Sequence, residues 1–261
     1  MKDIDLLRNV DIKIGSHITR EINGQPDLWK NTFKAVLLEK ERLSFFLNKV
    51  LKINNLHIIL SGAGSSAFIG EILRQAFYNS TRSCTTVIPT TDLVTHPKDF
   101  INKTVPTLLI SFARSGDSPE SLATFELAEK MFDEVYHLVI TCNPEGNLAQ
   151  KAFNAKNSYV FVLPDEANDR ALAMTGSFTS MTLAGLLISD INNINKNEVK
   201  TGTLVKYGNL ILKNFTKELK TVSDLDFKRV VFLGSGALKG AAKESHLKLL
   251  EMTDGQIICQ Y

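Results

Sequence analysis

Three cysteines in 261 residues, Cys84, Cys142 and Cys259, are too few and too widely spaced for a disulfide framework or a zinc site. They read as buried, reduced thiols. An excess of charge of one sign is also missing. Thirty Lys and Arg against twenty-eight Asp and Glu leave +2, with no basic run, so neither nucleic acid nor a membrane surface finds electrostatic support. No segment reaches the about 20 apolar residues of a membrane span, and Met1-Lys2-Asp3-Ile4-Asp5 lacks the apolar stretch of a signal peptide. No Gly-Lys-Ser/Thr ending makes a Walker loop. The dinucleotide fingerprint has only Gly62 and Gly64, with Ala67 in place of its third glycine. The expectation is a cytoplasmic chain with one large or two modest domains.

What is present is a strand-turn-helix pattern that occurs twice in the first half. Leu56-His57-Ile58-Ile59-Leu60 runs into Ser61-Gly62-Ala63-Gly64-Ser65-Ser66, and Thr107-Leu108-Leu109-Ile110 runs into Ser111 through Ser118, with Pro119 and Glu120 opening a helix. Apolar runs without alternation read as strands buried on both faces, hence a parallel sheet. In such sheets ligands sit beyond the carboxyl ends of the strands, where helix starts offer free N–H groups and a partial positive charge. Serine hydroxyls at Ser65, Ser66, Ser115 and Ser118 add donors suited to one small phosphate, although N-capping explains each of them singly. Further strands are expected around Thr86-Val87-Ile88, Tyr136–Thr141 and Tyr159–Leu163, and a long apolar helix from about Ser177 to Ile191. The fold class expected is therefore α/β, a doubly wound parallel five-stranded sheet flanked by helices. A polar arm is expected to about Gln25, with the first helix beginning near Pro26. The Asn- and Lys-rich stretch from Asn192 to Lys200 reads as a connector, followed by a helix near Leu204–Leu219.

Gly62-Ala63-Gly64-Ser65-Ser66 and Ala113-Arg114-Ser115-Gly116-Asp117-Ser118-Pro119-Glu120 resemble the two phosphate-loop signatures of the sugar isomerase (SIS) domain family. Glu21-Ile22-Asn23-Gly24-Gln25-Pro26 is similar to the lead-in of its double-domain members. Thr90-Thr91-Asp92, Asn168 through Thr175 and Ser177-Phe178-Thr179-Ser180-Met181 resemble the branch of tagatose-6-phosphate ketose/aldose isomerases and galactosamine-6-phosphate deaminases. The resemblance covers nearly the whole chain. It implies a sugar-phosphate ligand, no cofactor, and association into homodimers or larger homo-oligomers. Its implied substrate-binding residues are Gly64, Ser65, Ser66, Thr91, Arg114, Ser115, Ser118 and Arg170. An N-cap role explains Thr91 nearly as well, and Arg170 could equally pair with a nearby acid.

A third turn, Gly234-Ser235-Gly236-Ala237-Leu238, follows the run Arg229–Leu233 and repeats the first, as the start of a second similar domain. The division expected is an arm over 1–26, a first SIS domain over 27–192, and a connector with the beginning of a second over 193–261. Too little chain follows for a second five-stranded sheet, which reads as truncation. In the helix after this turn, Glu244, Lys248 and Glu251 share one face, with Leu247 and Leu250 on an adjacent face to anchor it. On spacing alone they are a solvated face. The resemblance implies instead that Glu251 is the C1/C2 proton-transfer base, with Glu244 and Lys248 ordering the site. The family's ring-opening His-Gly-Pro segment and its C-terminal Lys have no counterpart here, so the chain alone is expected to bind sugar phosphate without turning it over. His57, His137 and His246 read as packed residues, not catalysts. A ligand-sensing SIS module is the competing reading, but the first 26 residues are too short and polar for a helix-turn-helix.

Overall fold

The computed structural model describes residues 16–261; the first part of the expected polar arm lies outside the described residues. Five apolar runs form the strands β1 (His57–Ser61), β2 (Cys84–Val87), β3 (Thr107–Ala113), β4 (Val135–Thr141) and β5 (Ser158–Val162). All pair in parallel, in the order β2-β1-β3-β4-β5. The helices around them are α1 (Ser16–Leu38), α2 (Lys40–Val50), α3 (Ser65–Thr81), α4 (Thr90–Thr95), α5 (Pro97–Phe100), α6 (Pro119–Met131), α7 (Asn147–Phe153) and α8 (Gly176–Ser189). Alternate strand residues enter different layers. Ile58, Leu60, Leu108, Ile110, Leu138 and Ile140 join a core with α1, α2, α3 and α8. Ile59, Leu109 and Val139 turn the other way, toward α4, α6 and α7. Both faces are therefore covered, which is why the runs show no polar alternation.

The chain leaves β1 for β2 on one side and returns to β3 on the other, so the order reverses between β1 and β3. That reversal is a topological switch point, and it opens a crevice beyond the carboxyl ends of those two strands. Ser61 and Ser111 are in register there.

Several expected boundaries shift. α1 begins by Ser16 and continues through Pro26, which removes one helical hydrogen bond. The turn before the proline is held from outside: Glu21 accepts from the backbone near Ala171, and Gln25 accepts from Thr179 Oγ1 at 2.8 Å. β3 extends through Ala113 instead of ending at Ile110, because Ser111, Phe112 and Ala113 are buried and pair with β4. The expected connector is helical: a single 3₁₀ turn over Ile191–Asn193 leads straight into α9 (Ile194–Asn214), and α10 (Thr216–Ser223) follows. Asp190 accepts from the amides of Asn193 (2.8 Å) and Asn197 (3.0 Å), and Ile194 is fully buried, so tertiary contacts override the turn signal of the asparagines. Cys142 and Cys259 are buried free thiols as expected, but Cys84 is exposed at the start of edge strand β2.

His57 and His137 are packed. His137 is fully buried in β4, stacked on Phe125 at 3.9 Å between ring centroids, with Nε2 2.9 Å from Glu129 Oε1. Burial lowers its pKa to about 4 against the opposing pull of Glu129, so the ring is neutral at pH 7.

Past α10 come β6 (Arg229–Val231), α11 (Ala237–Met252) and β7 (Ile258–Gln260), with β6 and β7 forming a parallel pair. The turn into α11 copies the turn into α3. Gly64 and Gly236 have φ of 54° and 55° with ψ of −125° and −130°, a conformation only glycine adopts without strain. A Cβ on Gly62 would lie 2.6 Å from the Ser66 backbone, and one on Gly234 would lie 2.2 Å from the Leu238 carbonyl oxygen. The internal repeat read from the sequence is thus present in the backbone.

Candidate active site at the switch point

α11 packs directly on α3. Gly240 allows the approach, since a Cβ there would stand 2.8 Å from the Phe68 carbonyl oxygen, and Lys243 forms an ion pair with Glu71 at the equivalent position of the other repeat. The leucines expected to anchor α11, Leu247 and Leu250, are only half-buried. Its buried positions are Gly240, Ala242 and Glu244, because the small residues let the backbones meet.

This packing buries the Glu244 carboxyl near Ser65 at the start of α3, without a hydrogen bond between them. Lys248 Nζ stands 3.4 Å from Glu244 Oε1 and 2.5 Å from Glu251 Oε2, so the three residues expected on one face form one charged cluster. Glu244 is 5% exposed, and neither of its oxygens has a close hydrogen-bond partner among the described residues. Burial pushes its carboxyl above the usual carboxylate range, Lys248 and Ser65 partly offset this, and Glu251 adds to it. Glu251 lies at the outer end of the cluster, on an exposed residue. The arrangement is one cation between two carboxylates, one buried and one exposed, on the helix that packs against the start of α3.

The first turn is tied to its neighbours by Thr90, whose N–H donates to the Gly62 carbonyl at 2.9 Å and whose carbonyl accepts from Thr124 of α6 at 3.4 Å. Thr91 is exposed at the start of α4. Ser65 and Ser66 are almost fully buried, whereas Gly64 beside them is exposed. In neither α3 nor α6 does a side chain cap the helix start. The capping explanation of Ser65 and Ser118 therefore falls. Ser118 Oγ instead donates to Ser121 Oγ at 2.7 Å, and Ser115 is exposed, its Oγ accepting from the Asp117 N–H at 3.3 Å. Asp117 turns aside: its Oδ1 accepts from the backbone and side-chain nitrogens of Asn147, both at 3.0 Å. Asn143 Nδ2 donates to the Ser115 carbonyl at 2.9 Å, so the loop after β4 braces the second turn.

Arg114 is engaged with protein. Its Nη1 donates to the carbonyls of Ala171 (2.9 Å) and Leu172 (3.2 Å), which leaves Nη2 and Nε for an anion. Arg170 enters differently from expectation: its side chain is exposed, and its backbone N–H donates to Glu21 Oε1 at 2.7 Å. Two residues of the quoted motifs were given no role of their own in the sequence. Asp169, 5% exposed, accepts from the N–H groups of Thr175 (2.8 Å), Gly176 (3.1 Å) and Ser177 (2.9 Å) and from the Ser177 hydroxyl (2.6 Å), which makes it the anion at the start of α8. Glu21 is the other. The structure thus forms two groups at the switch point: Ser65, Glu244, Lys248 and Glu251 beyond β1, and Arg114, Ser115 and Ser118 beyond β3. A cleft of about 520 Å³ between the far ends of α3, α8 and α9 contains none of them.

Residues 52–189 match the SIS domain family. Over 255 residues the chain is 40% identical to AgaS of Escherichia coli, a D-galactosamine-6-phosphate deaminase, covering 95% of this chain and 64% of that protein. The crystal structure of tagatose-6-phosphate ketose/aldose isomerase from Escherichia coli superposes with a TM-score of 0.85 at 42% identity, over 92% of this chain and 65% of that one. The C-terminal domain of glucosamine-fructose-6-phosphate aminotransferase from Francisella tularensis shares the fold, with a TM-score of 0.76 at 19% identity over 96% of this chain and 71% of that one. The chain spans less than two thirds of the length of the first two of these proteins. The parallel sheet, the serine turns at its switch point and the family match agree, and the chain belongs to the SIS domain family.

Proposed function

We propose that this chain carries the sugar-phosphate site of an aldose–ketose isomerase acting on a hexose or amino-hexose 6-phosphate. The observation that supports it most is the seating of α11 on α3, which brings Glu244, Lys248 and Glu251 to the helix start at the first serine turn. In this reading Gly64, Ser65, Ser66, Arg114, Ser115 and Ser118 receive the phosphate, with Thr91 and Arg170 lining the sugar. Glu251 removes the C2 proton of the open-chain aldose. The electron pair forms the C1–C2 double bond of an enediol as the C1 oxygen gains a proton; reprotonation at C1 and loss of the C2 hydroxyl proton give the ketose. Lys248 offsets the developing negative charge, and Glu244 holds Lys248 in place.

A second reading is favoured by the names of the relatives. With nitrogen at C2 the same transfer yields a ketimine, which water hydrolyses to the ketose and ammonia. Galactosamine 6-phosphate would then give tagatose 6-phosphate, so one proton path serves both names. Residues 193–261 are proposed as the beginning of a second similar domain, supported by the repeated glycine turn. Cytoplasmic location, absence of nucleic-acid binding and self-association as a homodimer or larger assembly belong to the same proposal. Exposed Tyr207, Ile211, Phe215 and Leu219 support self-association, and a monomeric mass by light scattering at micromolar concentration would count against it.

The phosphate site is tested by calorimetry with inorganic phosphate. Ser65→Ala combined with Ser118→Ala should weaken binding by about 1–3 kcal/mol in total, the loss of two hydroxyl contacts. Unchanged affinity would remove both serines from the site.

A further inference from the structure

The Arg170–Leu172 segment is held from two sides by groups far apart in sequence. Glu21 Oε1, on α1, accepts the N–H groups of Arg170 (2.7 Å) and Ala171 (3.3 Å). Arg114 Nη1, in the second turn, donates to the carbonyls of Ala171 (2.9 Å) and Leu172 (3.2 Å). A carboxylate and a guanidinium thus grip opposite polar edges of one short stretch of backbone, and Asp169 fixes its upstream end to α8. Apolar packing does not do this work at the tip, since Leu172 is 87% exposed. Glu21 Oε2, meanwhile, is buried with no hydrogen-bond partner among the described residues. Keeping a carboxylate there is costly unless the two N–H bonds matter.

We infer that Glu21 is a positioning residue for the anion site: by fixing the Arg170–Leu172 backbone it sets the orientation of Arg114 in the phosphate turn. The inference rests on the sugar-phosphate reading above. With Nη1 anchored on two carbonyls, the planar guanidinium presents Nε and Nη2 in one direction, and less side-chain freedom is lost when an anion binds. Without Glu21 the backbone edge is free to move, and Arg114 loses its reference.

A double-mutant cycle read by calorimetric titration of inorganic phosphate tests this, because a purely structural Glu21 would lower affinity regardless of Arg114. Glu21→Ala should weaken phosphate binding by about tenfold when Arg114 is present, and by less than about twofold in the Arg114→Ala background. Glu21→Gln, which keeps the length and one acceptor oxygen, should retain affinity to within about threefold. If Glu21→Ala does not fold, Glu21→Asp, one methylene too short to reach both N–H groups, takes its place in the cycle with the same expected non-additivity. Equal losses in both backgrounds, or no loss when Arg114 is present, would overturn the inference. An unmodified protein that does not bind phosphate would overturn the site reading itself and the inference with it, a result distinct from phosphate binding with additive losses.

Discussion

Glu251→Gln should lower kcat by about 10²–10⁴-fold and leave KM within a few-fold, in a polypeptide of the length its relatives have. A carboxylate that moves the proton between C1 and C2 acts chiefly in the transition state, so its loss shows in the rate and hardly in ground-state binding. Gln matches Glu in size, and Glu251 is on an exposed residue at the outer end of α11, so a folding defect will not imitate the effect. One contact changes: the 2.5 Å ion pair with Lys248 weakens to a neutral hydrogen bond. Lys248 keeps Glu244 at 3.4 Å, so the cluster stays assembled. Steady-state kinetics on purified variant and parent decide the matter. A kcat within about threefold of the parent would make Glu251 a solvated helix residue with an i,i+3 salt bridge, worth about 0.2–0.5 kcal/mol.

The second large effect is on stability. Asp169→Ala should cost about 3–5 kcal/mol of unfolding free energy, because it leaves the N–H groups of Thr175, Gly176 and Ser177 and the Ser177 hydroxyl without their acceptor at the start of α8. α8 contributes Phe178, Met181, Ala184, Leu187 and Ile188 to the main core, so its first turn cannot fray without exposing apolar surface. Asp169→Asn keeps one acceptor oxygen and should lose roughly half as much. Urea unfolding followed by circular dichroism measures both. A loss below about 1 kcal/mol for the alanine variant would mean that water replaces the carboxylate at little cost.

The strands and the turns were legible because each is dictated locally. Runs such as Leu108–Ile110 lack alternation only if both faces are covered, and the Gly64 turn needs a residue that tolerates positive φ. Pro26 and the asparagines from Asn192 misled for the opposite reason: their local signals are real but are outweighed by partners distant in sequence. Thr179 and the backbone at Ala171 hold the α1 turn around Pro26, and Asp190 with the buried Ile194 holds the start of α9. Within the site, the 244–248–251 spacing on one helix face was readable, and the structure joins those side chains. That Glu244 is buried near the start of α3 was not readable, since it depends on how two repeats pack through Gly240. Glu21 and Asp169 were visible only as letters in a motif; their roles consist of bonds to backbone groups that no spacing rule encodes.

Proton transfer on a 6-phosphorylated sugar is tested most directly by NMR in D2O, with a polypeptide of the relatives' length incubated with galactosamine 6-phosphate and, separately, tagatose 6-phosphate. The expected result is deuterium at C1 or C2 together with conversion of at least one of the two sugars, with ammonia released where nitrogen stands at C2. Neither exchange nor conversion with either sugar, from protein that binds inorganic phosphate at the serine turns, would contradict it and leave a phosphate-binding module without isomerase chemistry.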